Sequence, residues 1–416
     1  MPVKWKNGAH PSMVVEKIQE IKEIGGDGKV RFKGFIHEEY RSILFAITEF
    51  PDDLPEIEKR RIISQGLFSA AGKGTLTKNT LISEFNQLLS LYYRKKQKRF
   101  ALYTSLSVMN LNNEVREYFG RDQLIIDNKP HPKFQTESRK ITDRAVRMMF
   151  AEIPKFYKRV RVHVTARTES EAADLALNHL DLIRGIWNLR LNFAQPMRLS
   201  FGGKTKPVNR IITGPIHTLH YPNGKIAAED RWWYEPTFLE GIKRLDFDKH
   251  HDDLISFTKS VRDNLEESPY SEELKDALRR YCRALDERNL NNAFLRLWSV
   301  LELLTATGNQ RYDVTIKRAS YIFEEREYYR HLLDQLREYR NSTVHDDAQT
   351  QEIETYLYQL KNFVDELFRF HLFNNFGFET IEDAGTFLSL PIDSDALKKR
   401  RDMAIYALRY RSYESE

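Results

Sequence analysis

Short segments that alternate polar residues with β-branched or aromatic ones recur up to about residue 245, and then they stop. Beyond that point the apolar residues fall at helical spacing. A chain built this way reads as an α+β fold: an N-terminal mixed α/β domain over 1–245, then an all-α helical bundle over 246–375. The remainder, 376–416, is a tail with turn residues and one basic helix.

The expected strands are 29–36, 99–109, 157–167, 209–221 and 225–235, chosen for β-branched and aromatic content and partial alternation. Between them, 77–96 has helical apolar spacing, and 168–191 opens on a capping-box pattern, Thr168 with Glu171. In the second half Ser271 is an N-cap candidate. The stretch 353–367 puts Ile353, Tyr356, Leu357, Leu360, Phe363, Val364 and Leu367 on one stripe.

One cysteine, Cys282, in 416 residues leaves neither a disulfide framework nor a thiolate zinc site. The first twenty residues lack the apolar core of a signal peptide. No apolar run approaches the roughly 18 residues of a membrane span. A soluble protein of the reducing cytoplasm is the expectation. Because 65 basic residues face 60 acidic ones, any attraction to nucleic acid must come from local clusters.

Several motifs fail on spacing. A P-loop in "FGGKTKP" would need glycine where Arg198 stands, and in "GLFSAAGKGT" Gly66 is one residue too far from Gly72 and Lys73. His250 and His251 are adjacent and point apart; His217 and His220 fall on opposite faces of a strand. The strand at 157–167 is more informative. Its valines occupy one face, leaving Tyr157, Arg159, Arg161, His163 and Arg167 on the other. Such a face either tracks an RNA backbone and stacks a base, or is a solvated sheet face balanced by neighbouring strands. The run "RKKQKR" at 94–99 reads as a solvated helix end.

The segment "REYRNSTVHDD", 337–347, carries the strongest chemical signal. On a helix Arg337, Asn341 and His345 recur every four residues, while Arg340 stands about 140° around the axis from His345 and about 7.5 Å along it. The two meet only through Arg340's reach, a local kink, or a second copy of the chain. Cleavage of RNA by its own 2′-hydroxyl needs a proton carrier near neutral pH, which imidazole supplies, and charge stabilisation at phosphorus, which a guanidinium supplies. No metal or other cofactor is required.

Arg340 followed by a polar residue, three more residues and His345, inside a helical bundle, resembles the R-x4-6-H motif of the HEPN ribonuclease superfamily. The stretches "NNAFLRLWSVLELLT" and "RASYIFEEREYYRHLLDQLREYRNSTVHD" are similar to its Apea-like branch, over roughly 270–375. The resemblance implies Arg340 and His345 as the catalytic pair and Asn341 as a polar third member. It also implies a homodimer with two motifs facing one cleft, and metal-independent cleavage leaving 2′,3′-cyclic phosphate ends. Some branches add a glutamate with a lysine four residues on; here Glu302 matches, but Ala306 holds the fourth position. The expectation is an endoribonuclease of prokaryotic anti-phage defence, acting on RNA such as tRNA, with Arg337, Tyr157, Arg159, Arg161 and Arg167 as RNA contacts. A phage-derived trigger would release it, and the N-terminal domain would either recognise that trigger or position the RNA. The alternatives are a non-catalytic RNA-binding or scaffolding protein and the toxin of a toxin–antitoxin pair.

Overall fold

The computed structural model describes residues 1–416 except 28, 35, 150–153, 195–206, 237, 239–241, 309–311, 347–351, 375 and 412–416, and omits the side chains of 149 and 343–346. The architecture is α+β, with strands confined to the first 246 residues and helices alone beyond them among the described residues.

Residues 1–94 are mainly helical. Strand β1 (Lys4–Trp5), α1 (Pro11–Ile21), the β2 (Lys22–Ile24) and β3 (Val30–Phe32) pair, α2 (Ile36–Ile47), β4 (Thr48–Glu49), α3 (Glu56–Gly72) and α4 (Lys78–Arg94) enclose a core that includes Ile18, Leu44, Ile62, Leu67, Leu81 and Phe85. The strand expected at 29–36 is three residues long, and Ile36 opens a helix instead. Thr77 and Thr80 cap α4 reciprocally.

The sheet follows. Its strands are β5 (Lys98–Leu106), β7 (Val115–Phe119), β8 (Asp122–Ile126), β9 (Lys158–Ala166), β10 (Ile216–His220) and β11 (Trp233–Tyr234), antiparallel in the order β11-β10-β5-β9-β8-β7. A separate parallel pair joins β6 (Val108–Met109) to β12 (Leu245–Asp246). The expected strands at 209–221 and 225–235 shrink to β10 and β11, and the β7–β8 hairpin was not among the expected strands. Alternation along β9 is as expected. Val160, Val162, Val164 and Ala166 are buried against α6 (Glu169–Ala194), while α5 (Pro132–Met149) lies on the opposite face through Phe134, packed on Ala101 and Tyr103. Thr168 caps α6 by accepting from the Glu171 amide, but Glu171 returns its bond to Arg167 N rather than to Thr168.

The rest is a bundle of α7 (His251–Glu267), α8 (Ser271–Leu285), α9 (Leu290–Leu304), α10 (Tyr312–Tyr321), α11 (Arg326–Asp346) and α12 (Ile353–Phe373), with α13 (Ile381–Phe387) and α14 (Ser394–Tyr410) in the tail. Helix α8 begins one residue earlier than a Ser271 cap allows; Tyr270 holds the cap position. On α12 the stripe from Leu357 through Leu367 is buried as its spacing predicts. Helix α14, by contrast, buries none of its residues.

The cores do not divide at residue 245. Helix α6 gives Ala172, Leu180, Ile183 and Trp187 to the sheet core, and Leu182, Ile186 and Leu189 to the helical core, so it belongs to both. At that seam the fully buried Arg184 binds Asp181 (2.6 Å) and Asp286 (2.9 Å), while Asn209 donates to Asp286 (2.8 Å). Beside it, Gly185 lets α8 approach: a Cβ there would sit 2.6 Å from the Leu278 carbonyl oxygen, which is backbone and cannot swing aside. Gly185→Ala is therefore expected to lower stability by about 1–3 kcal/mol, read as a lower denaturant midpoint at unchanged m-value.

Two buried histidines make the fold acid-sensitive. Burial pushes His217, beside Thr104 Oγ1 at 2.6 Å, and His371, which donates to the Leu304 carbonyl at 2.7 Å, down to about 4. Unfolded histidine titrates near 6.5, so between about pH 6.5 and 4 the unfolded chain binds more protons than the folded one. Their contribution is complete above pH 6.5 and is lost as the pH falls, at about 1.4 kcal/mol per pH unit for each. Denaturation series from pH 7 to 4.5 are expected to show this fall, and His217→Gln a shallower one.

Candidate active site

The motif helix α11 runs unbroken from Arg326 through Asp346, so the backbone carries Arg337, Asn341 and His345 on one stripe and Arg340 around the axis from them. The side chain of His345 lies outside the described residues.

Helix α11 is held by Leu333, Leu336 and Tyr339, all buried in the bundle core. The Tyr339 hydroxyl donates to Asn291 Oδ1 of α9 at 2.5 Å, and its ring packs edge-on against Phe294. These anchors fix the turn that bears Arg340 and the half-buried Asn341.

Three helices converge on Arg340. Its guanidinium lies over the ring of Tyr312, 4.9 Å from the centroid, at the start of α10. Tyr312 in turn meets Trp298 of α9 edge-on at 6.4 Å. The Trp298 indole N–H donates to Glu302 Oε1 at 3.0 Å, one helical turn along. Burial raises the Glu302 pKa above the ordinary carboxylate value, and the Trp298 hydrogen bond and the Arg340 charge pull it back. Among the described residues no carboxylate lies within ion-pairing distance of Arg340. The result is a guanidinium placed by an aromatic ring and near the Glu302 carboxyl, with no side-chain hydrogen bond to any of the described residues. That arrangement suits an oxyanion such as a phosphate.

The other expected contacts fare differently. Arg337 binds Asp313 (2.8 Å) and Asp334 (3.1 Å), so it supports α10 rather than offering a free charge. Tyr157 is only 8% exposed, packed with Ile212 and Phe238; its ring is not available to stack a base, because it precedes β9 and turns under the loop before β10. Arg161 is held by Asp127 (2.5 Å) and Glu114 (3.3 Å). Arg167 donates to the Lys95 carbonyl (2.9 Å) and lies over Tyr92 and Tyr93. Arg159 covers Tyr103. Arg159 and Arg161 share one face of β9, over the packed rings of Tyr103 and Phe134, and none of these residues belongs to the contacts described around Arg340.

Tyr312 is the residue that sequence reading missed. Nothing local marks it: its role rests on a contact across 28 positions. Glu302 was legible as a candidate, and its place beside Arg340 gives it an electrostatic partner that Ala306 could not supply. Among the described residues no group of three or more histidine, cysteine, aspartate or glutamate side chains is placed to hold a metal ion, and no helix is long and apolar enough to cross a membrane. In comparisons with known proteins, no family model, no curated protein and no solved structure matches the chain.

Proposed function

We propose that the chain is a metal-independent endoribonuclease of the HEPN type, in which Arg340 and His345 of two protomers form a composite site. The observation that carries this reading is Arg340 itself: a guanidinium without a carboxylate partner among the described residues, set over Tyr312 beside Glu302, on the same continuous helix as His345. Arg340 faces the scissile phosphate and stabilises the charge that builds on its oxygens in the transition state. His345 moves the proton between the attacking 2′-hydroxyl and the leaving 5′-oxygen, Asn341 orients the phosphate or the imidazole, and the 2′-oxygen closes the cyclic phosphate. The angular separation of Arg340 and His345 on one helix favours supply of one of the pair by the second copy.

Chemistry through the 2′-hydroxyl has a direct test. Cleavage of RNA oligonucleotides in excess EDTA is expected to proceed, and 2′-O-methylation throughout the strand is expected to stop it; cutting of the methylated strand would exclude the mechanism. The biological role we infer is cytoplasmic anti-phage defence, with the N-terminal domain receiving a phage-derived signal. Equal plaque counts on cells carrying wild type and His345→Ala would remove that role for the phages tried.

A further inference from the structure

The run "RKKQKR" reads from sequence as a helix end, yet the fold gathers more charge around it than the run contains. The C-terminus of α4, the start of β5, the end of β9 and the β7–β8 turn meet at one end of the sheet. Their meeting is fixed by β5–β9 pairing of Lys98 with Ala166 and Arg99 with Thr165, and by the Asp122 carboxylate accepting from Thr165 N at 3.1 Å. The Arg99 guanidinium reaches the Arg121 carbonyl at 3.5 Å, and Arg167 reaches that of Lys95 at 2.9 Å.

We propose that this end of the sheet is a binding surface for single-stranded RNA, separate from the cleavage site. Lys95, Lys96, Lys98, Arg99 and Arg121 are exposed, and among the described residues none has a carboxylate within ion-pairing distance. The acids nearby are engaged elsewhere: Asp122 accepts from Thr165 N and binds His179, Glu171 accepts from Arg167 N, and the exposed Asp53 accepts from the Tyr93 hydroxyl. Positive charge is therefore left uncompensated at the rim. From the rim the sheet face continues to Tyr118, 51% exposed on β7 and paired with Gln123 of β8. Phosphates fit the rim, and an unpaired base fits the Tyr118 ring, which selects a single strand over a duplex. This surface rests on the ribonuclease reading for its purpose, because it would hold RNA for delivery to the helical site; its binding is measurable without cleavage.

The probe is a fluorescent 2′-O-methyl RNA of about 12 nucleotides, which cannot be cut through its 2′-oxygen, titrated against the full chain across salt concentrations. Wild type is expected to bind with a steep salt dependence. Lys96→Ala/Lys98→Ala/Arg121→Ala is expected to weaken binding at least tenfold and to flatten the log–log salt slope by about 2, at an unchanged melting temperature. Tyr118→Ala is expected to weaken it about fivefold or more with the slope kept. The control Lys398→Ala/Lys399→Ala/Arg400→Ala removes equal charge from the exposed helix α14 and is expected to leave affinity within about twofold. Wild-type affinity in the rim variant, equal loss in the α14 control, or stronger binding to anionic phospholipid vesicles than to RNA would overturn the proposal. Each of these holds whether or not the chain cleaves RNA, so failure of the nuclease reading would show only in the cleavage assay.

Discussion

Arg340→Ala is expected to lower the rate of RNA cleavage by about a thousandfold, with the loss in kcat rather than KM and the melting temperature nearly unchanged. The size follows from the role. A group that stabilises charge appearing at the reacting phosphate is needed in the transition state and contributes little to the ground state. The small cost to stability follows from its surroundings: beyond the cation–π contact with Tyr312, worth about 0.5–1 kcal/mol when partly exposed, Arg340 has no described ion pair to lose. Arg340→Lys keeps the charge without the planar fork and is expected to fall between the two. Steady-state kinetics beside thermal melts separate this from a structural role, which would lower the melting temperature and the rate together.

Arg184→Ala is expected to cost about 3–5 kcal/mol of stability, the largest effect of any single substitution considered. Arg184 is fully buried on α6, and its removal leaves the buried Asp286 with only the Asn209 amide and a more distant positive charge, while Asp181 keeps its ion pair with Arg283. Burial already raises the Asp286 pKa, and the Arg184 charge works against that rise. Without the arginine, protonation of Asp286 relieves part of the penalty. Adding Asp286→Asn to Arg184→Ala is therefore expected to recover part of the loss, seen as a partial return of the urea midpoint. A double variant less stable than the single one would contradict this account of the seam. The same seam ties sheet to bundle, so its loss is expected to unfold both halves in one transition.

The change of period near residue 245 made the α+β arrangement legible, because alternation and helical spacing are local properties. The stripe on α12 and the two faces of β9 were legible for the same reason. What local pattern does not contain is which neighbour covers a face. Tyr157 shares the parity of Arg159 and Arg161, yet it lies just before the strand and is buried by Ile212 and Phe238 from distant segments. Arg337 shares the stripe of the motif, yet Asp313 neutralises it from another helix. Helix α6 reads as a helix of the first half, but its residues serve two cores, one shared with the sheet and one with the bundle. Tyr312 under Arg340 and the charge gathered at Arg121 are likewise products of chain return.

The central claim is that α11 carries the reacting groups of a ribonuclease. The most direct measurement incubates wild type and His345→Ala with tRNA and total RNA in excess EDTA, with and without lysate from phage-infected cells, and identifies the ends of the products. The account predicts 2′,3′-cyclic phosphate and 5′-hydroxyl ends from wild type alone. Cleavage by both proteins alike, 3′-hydroxyl ends, or no cleavage by wild type under either condition would contradict it.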